Sequence, residues 1–199
     1  MLRIAQTSCM TYTTSEKEKI HYVILPDECP DDPSRWLDRE VHYAFFHRKY
    51  SLNRNFKIGN IHDDFDAFER FRERECGKGK YAFIPVYMYD HSGLAFSFGS
   101  FNDHWDSGLL GFIWYNIKRL KKSYAIEDEE KLEGAVKAEA EQFFAYVSGD
   151  TYCYEVRDEE GNVLDACGGF YLEKDAEECA KESLESVRRN SGEQFELLE

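Results

Sequence analysis

The sequence predicts an α+β fold, a mainly antiparallel sheet with about three packed helices, in a single domain over residues 1–199. Short runs rich in β-branched and aromatic residues, such as "KIHYVILP" and "LLGFIWYNI", recur between turn signals and read as strands. Elsewhere apolar residues return every three or four positions, the spacing of a helix that buries one face. There is no sustained β-α-β alternation, no G-x-G-x-x-G and no G-x-x-x-x-G-K-S/T, which argues against a dinucleotide fold or a P-loop. With 42% hydrophobic and 16% aromatic residues, the chain can bury a sizeable core.

Each element has its own local reason. Residues 1–18 and 190–199 are polar ends expected to be flexible. "KIHYVILP" (19–26) is a strand stopped by Pro26, and Pro30 and Pro33 deny a regular helix to the segment after it. "REVHYAFFHRKY" (39–50) reads as a strand with Val41, Tyr43 and Phe45 on one face and His42, Ala44 and Phe46 on the other. The segment 63–80 is a short helix: Asp63 or Asp64 can cap it, Phe65, Phe68 and Phe71 align, and Gly77 and Gly79 end it. "YAFIPVYMYDH" (81–91) is a strand in which Pro85 calls for a bulge or an edge. "GLAFSFGS" and "LLGFIWYNI" add two strands separated by the polar "FNDHWDSG".

A basic step, "KRLKK" (118–122), leads to a helix over 127–147 that buries Leu132, Val136, Ala140, Phe143 and Val147. Acidic residues fill its first turn, where the helix dipole favours them. "DTYCYEVRDEEGNVLDACGGFYL" reads as a hairpin around "EEGN". The last helix, about 175–189, buries Ala176, Ala180, Leu184 and Val187.

No apolar run approaches the roughly 18 residues that span a bilayer, and the opening "MLRIAQTSCMTYTTSEKEK" is too polar for a secretory signal. The expected location is the cytoplasm. The six cysteines form no C-x-x-C pair, so they are expected to be reduced thiols, several of them buried. The net charge of −14 is uneven: residues 1–100 carry 14 Lys/Arg against 15 Asp/Glu, and residues 101–199 carry 11 against 24. Such a surface repels nucleic acid and lipid head groups and attracts basic partners.

Two regions are candidates for function. The stretch from Tyr87 to Tyr115 crowds Asp90, His91, Ser92, Trp105, Asp106 and Ser107 between hydrophobic runs. Asp90, His91 and Ser92 are adjacent on an extended chain and point to opposite faces, so they form no relay among themselves. No G-x-S-x-G elbow is present. Asp90, His91, His104 and Asp106 are candidates for a divalent metal, with His42 and His47 expected to supply any further ligands or chemistry. The same residues also suit plain architecture: "DHSG" and "WDSG" are turn sequences, with Gly93 and Gly108 to take positive φ and Trp105 for the core.

The second region is the acidic C-terminal part, where residues 127–199 carry 22 acidic and 7 basic residues. Rows at Glu127, Glu130, Glu133 and Glu141, and at Glu177, Glu178, Glu182 and Glu185, lie on the two later helices. B-DNA presents a phosphate about every 1.7 Å of axis, and an ordered acidic face can imitate it. The alternative is a solvated helix exterior.

The segments "VYMYDHSG", "WDSGLLGFIW", "SGDTYCYEV" and "DACGGFY" resemble those of an uncharacterised family encoded by bacteriophages and mobile elements. Its motif is similar to Y-x-Y-D/E-H-S-G followed by W-D-S-G-x-x-G-F-I. The likeness runs from about Pro33 to Tyr171, with "PSRWLDREVHYAFFHRKYSL" matching loosely. Where relatives have a Trp before the second Gly of "DACGGFY", and a Cys-containing loop in place of "FNDH", this chain departs, which puts a metal or thiol role for that loop in doubt. The resemblance implies no settled enzymatic activity. It implies an accessory protein of a host bacterial cell's invader, of the kind that inhibits a restriction or CRISPR-like defence complex. The expected partner is a basic nucleic-acid-binding protein or complex, with no direct binding of nucleic acid or membrane and no cofactor. A small metal-dependent hydrolase at the Asp-His-Ser-Gly region, and a plain scaffold, are the alternatives.

Overall fold

The computed structural model describes residues 19–35, 38, 40–47, 49–50, 52, 65–102 and 105–190. In chain order these form β1 (Ile20–Pro26), a 3-10 turn (Pro33–Arg35), β2 (Val41–Phe45), α1 (Phe65–Glu75), β3 (Tyr81–Asp90), β4 (Leu94–Ser97), β5 (Ser107–Asn116), α2 (Ile117–Tyr124), α3 (Glu129–Ser148), β6 (Tyr152–Asp158), β7 (Val163–Phe170) and α4 (Glu173–Asn190). The fold is α+β, with every strand pair among the described residues antiparallel. The strands divide between two sheets in two compact units: residues 33–144, and the residues up to 32 joined by those from 145 onward. The end expected to be flexible over 1–18, residues 191–199 of the one expected over 190–199, and the Asp63 or Asp64 cap lie outside the described residues, while Asn190 is the last residue of α4.

In the unit of residues 33–144 the sheet order is β2-β5-β3-β4. The alternation of β2 decides its layers. Tyr43 meets Phe143 of α3 edge-on, with ring centroids 5.5 Å apart. On the other face Ala44, Phe112 and Trp114 pack against Phe68 and Phe71 of α1. Because both faces are covered, β5 is buried continuously from Leu110 to Tyr115 and shows no polar alternation. Each such aromatic contributes about 2–3 kcal/mol by leaving water. Gly111 is forced by β2: it has φ 154, and a Cβ there would lie 2.1 Å from the Ala44 carbonyl oxygen.

Pro85 meets both of its expected settings. A register shift falls between Val86 and Tyr87, and β4 pairs only with Tyr87–Asp90, so among the described residues β5 is the one strand beside β3 at Pro85. Gly77 and Gly79 follow α1 with φ 76 and 67, as expected of residues that end a helix. The basic step is itself a helix, α2. The Asn116 side chain accepts the Arg119 N–H, Ala125 closes the far end in the left-handed region, and Leu120 is the buried residue. The polar composition of "KRLKK" hid this one-residue core face.

In α3, Leu132, Val136, Ala140 and Phe143 are buried as expected, Phe144 joins them, and Val147 is half-buried. Asp128 caps this helix by accepting the Lys131 N–H at 2.8 Å, which leaves Glu127 ahead of it. Glu139, on the same helix, turns inward. It accepts the Asp38 N–H at 2.8 Å and the Tyr124 hydroxyl, and burial raises its pKa above the usual carboxylate range.

In the other unit the order is β1-β6-β7, with β1 and β6 in unbroken register from Ile20–Asp158 to Pro26–Tyr152. Ile20, Tyr22, Ile24, Tyr154 and Val156 receive Ala176, Ala180 and Leu184 of α4, whose alanines allow close approach. Val187 packs at the border of this cluster. Of the five cysteines described, Cys29, Cys76 and Cys167 are exposed and Cys153 and Cys179 half-buried, so none of them is a core residue.

Candidate functional site

Three separated segments meet at one end of the four-stranded sheet. The β3–β4 tip turns at Ser92, which takes φ 61, and the His91 N–H donates to the Gly93 carbonyl at 3.2 Å. Pairing of Tyr89 with Ser107 sets the start of β5 beside the end of β3, and the Asp90 N–H donates to the Asp106 carbonyl at 2.9 Å. His47 and Lys49 arrive from beyond β2, and with Asp90, Trp105, Asp106 and Leu109 they line an open groove of about 640 Å3.

Two polar pairs organise this end. Lys49 Nζ lies 2.9 Å from Asp90 Oδ2, and His91 Nδ1 lies 2.9 Å from Asp106 Oδ2. The adjacent Asp90 and His91 thus enter different pairs, as an extended backbone requires. The members of both pairs reach water, so each pair acts mainly to orient its members. His47 accepts the Lys49 N–H on Nδ1 at 3.2 Å and stacks on Tyr50. His42 is elsewhere: its ring lies 4.4 Å from that of Trp114.

The turn chemistry differs from the sequence expectation at three residues. Trp105 is 95% exposed and is no core residue, because it precedes β5, whose core positions begin at Leu110. Gly93 and Gly108 take no positive φ: Ser92 makes the turn, and Gly108 is a strand residue paired with Met88. Among the described residues no three His, Cys, Asp or Glu side chains are grouped to hold a metal ion, and His104 lies outside them. Sequence spacing gave no sign of Lys49, which only the β2–β5–β3 order brings to Asp90.

The acidic helix faces are the second candidate. On α3, Glu130 and Glu141 are exposed, and Glu133 pairs with Lys137 at 2.6 Å. On α4, Glu178, Glu182 and Glu185 recur at helical spacing opposite the buried Ala176, Ala180 and Leu184. Glu177 is drawn aside to Lys181, at 2.7 Å, and to the Tyr22 hydroxyl. Along α4 the three exposed carboxylates follow one another at about 6 Å and about 4.5 Å of helix rise. That interval is of the same order as the roughly 3.4 Å of helix axis per phosphate of one DNA strand.

Comparison with protein-family models, with curated proteins and with solved structures finds no match to this chain. Among the described residues no helix is long and apolar enough to cross a membrane.

Proposed function

We propose that this chain works by binding another protein, an acidic helix face, on α4 or on α3, occupying a basic surface that otherwise holds nucleic acid. The observation that carries this reading is the α4 stripe of Glu178, Glu182 and Glu185, exposed and spaced on the scale of DNA phosphates. The motif resemblance adds the setting: a bacteriophage or mobile-element accessory protein in the cytoplasm of a bacterial host, inhibiting a restriction or CRISPR-like complex. The test is displacement of labelled DNA from purified effector complexes of these types. Displacement should weaken steeply with added salt and fall in a Glu130→Lys, Glu178→Lys, Glu182→Lys variant. Inhibition indifferent both to salt and to those reversals would refute the mimic.

A second reading has its own observation: the His91–Asp106 and Lys49–Asp90 pairs in one open groove. A carboxylate-oriented imidazole suits metal-assisted hydrolysis, with His91 and Asp106 as the first candidates to hold the ion. Stoichiometric metal in the purified protein, lost in His91→Ala, supports this reading, and a metal-free, fully folded protein removes it.

A further inference from the structure

We infer that the open edge of β7 is a strand-addition site for a short, extended, basic segment of the partner protein. This inference rests on the partner being basic, as proposed above, and names how one part of it is held.

Among the described residues β7 is the last strand in the order β1-β6-β7, and every residue from Val163 to Gly169 is exposed. The opposite edge strand, β1, is buried at Ile20, Tyr22, Val23 and Ile24. A bare edge presents a row of backbone donors and acceptors that another chain can pair with, and proteins usually guard such edges with lysine or proline. "VLDACGGF" has neither. Its register with β6 shifts near both ends, which leaves the middle, around Asp165–Cys167, as the regular stretch available for pairing. The added segment is therefore short, and needs a side-chain anchor besides its backbone bonds.

That anchor site lies beside the edge. Between β7 and α4 runs a groove of about 600 Å3, with Leu164, Tyr154 and Val187 as apolar wall and Asp165, Glu182 and Ser183 as polar lining. Asp165 is already oriented, accepting the Tyr154 hydroxyl at 3.3 Å and the Ser183 hydroxyl. An arginine or lysine fits this lining: its methylenes lie on Leu164 and Val187, and its charge meets Glu182 and Asp165. Charge selects the occupant further. The hairpin turn beside the edge carries Asp158, Glu159 and Glu160, and α4 adds Glu178 and Glu185. A second copy of this chain would bring a net −14 against the same charges.

The test uses the full chain and a fluorescein-labelled six-residue peptide alternating arginine with valine. Binding is read by anisotropy, and backbone protection by amide hydrogen exchange. Binding should protect amides within β7, and Glu182→Gln should weaken it about tenfold. Methylating alternate peptide nitrogens along one peptide edge should abolish binding, while methylating the other edge leaves it intact. Equal binding by both methylated peptides would overturn strand addition while leaving attraction to the acidic faces standing. Binding that survives in the Glu130→Lys, Glu141→Lys variant but fails on edge methylation would support the β7 site independently of the α3 face. A peptide-free solution mass near twice 23.4 kDa, with β7 amides already protected, would overturn the proposal in favour of a second copy.

Discussion

Asp27 Oδ2 accepts the Gly169 N–H at 2.8 Å, and the same oxygen lies 2.8 Å from where a Cβ on Gly168 would stand. The two glycines of "DACGGFY" therefore serve different ends. Gly168 admits the carboxylate, and Gly169 supplies φ 86 and a donor. Because the crowding atom ends a short side chain, Gly168→Ala should cost about 1–2 kcal/mol. Asp27→Ala should cost about as much by leaving the Gly169 and Cys29 donors to water. The double variant should lose less than the sum, since trimming Asp27 removes the clash. Urea unfolding of the four proteins measures this coupling, and strict additivity would contradict the geometry.

Gly111→Ala should be far more damaging. The intruding methyl meets the backbone oxygen of Ala44 at 2.1 Å, and neither strand can yield without breaking the β2–β5 ladder. A loss of roughly 3 kcal/mol or more is expected in thermal or urea unfolding.

Glu139 makes stability depend on pH. Its folded pKa is raised, chiefly by burial, so folding favours the protonated form. The associated stability is fully present below the ordinary carboxylate pKa of 4.5 and is lost as pH rises through the raised folded value. Glu139→Gln should flatten the melting-temperature profile above pH 4.5 and leave the neutral-pH protein at least as stable. Glu139→Ala should cost about 1–3 kcal/mol, because Asp38 N–H and the Tyr124 hydroxyl lose their acceptor.

Trp105→Ala should leave stability within about 0.5 kcal/mol of the parent, since the ring is 95% exposed. In a Trp36→Phe background it should also remove the acrylamide-quenchable component of the fluorescence, which the buried Trp114 cannot supply; Trp36, the third tryptophan, lies outside the described residues. Partner binding that weakens in this variant at unchanged stability would place the groove inside the interface, as expected of an exposed aromatic anchor.

Local signals in the sequence identify the elements because each rests on neighbouring residues. The alternation of Val41, Tyr43 and Phe45, the Phe65–Phe71 stripe and the stop at Gly77 can all be read this way. Pairing is non-local. Composition and Pro26 mark Ile20–Pro26 as a strand, yet nothing near Ile20 indicates that Asp158 lies across from it. The same limit hid the groove: Asp106 reaches His91 through the β3–β5 register, and Lys49 reaches Asp90 through strand order. Composition also misleads one residue at a time. Trp105 counts as hydrophobic and sits in water, while Glu139 counts as surface charge and bonds inward.

The pairing of Ile20 with Asp158, 138 positions later, has a consequence for synthesis on the ribosome. At about 5–20 residues per second, β1 waits for its partner strand for roughly 7–28 seconds. Residues 33–144 are contiguous and hold both faces of their own sheet, so they can assemble during that interval. Meanwhile the apolar run Tyr22–Leu25 stands unpaired on the nascent chain. Vectorial folding thus proceeds from the inserted unit outward, and the window before β6 emerges is when this protein most needs a chaperone.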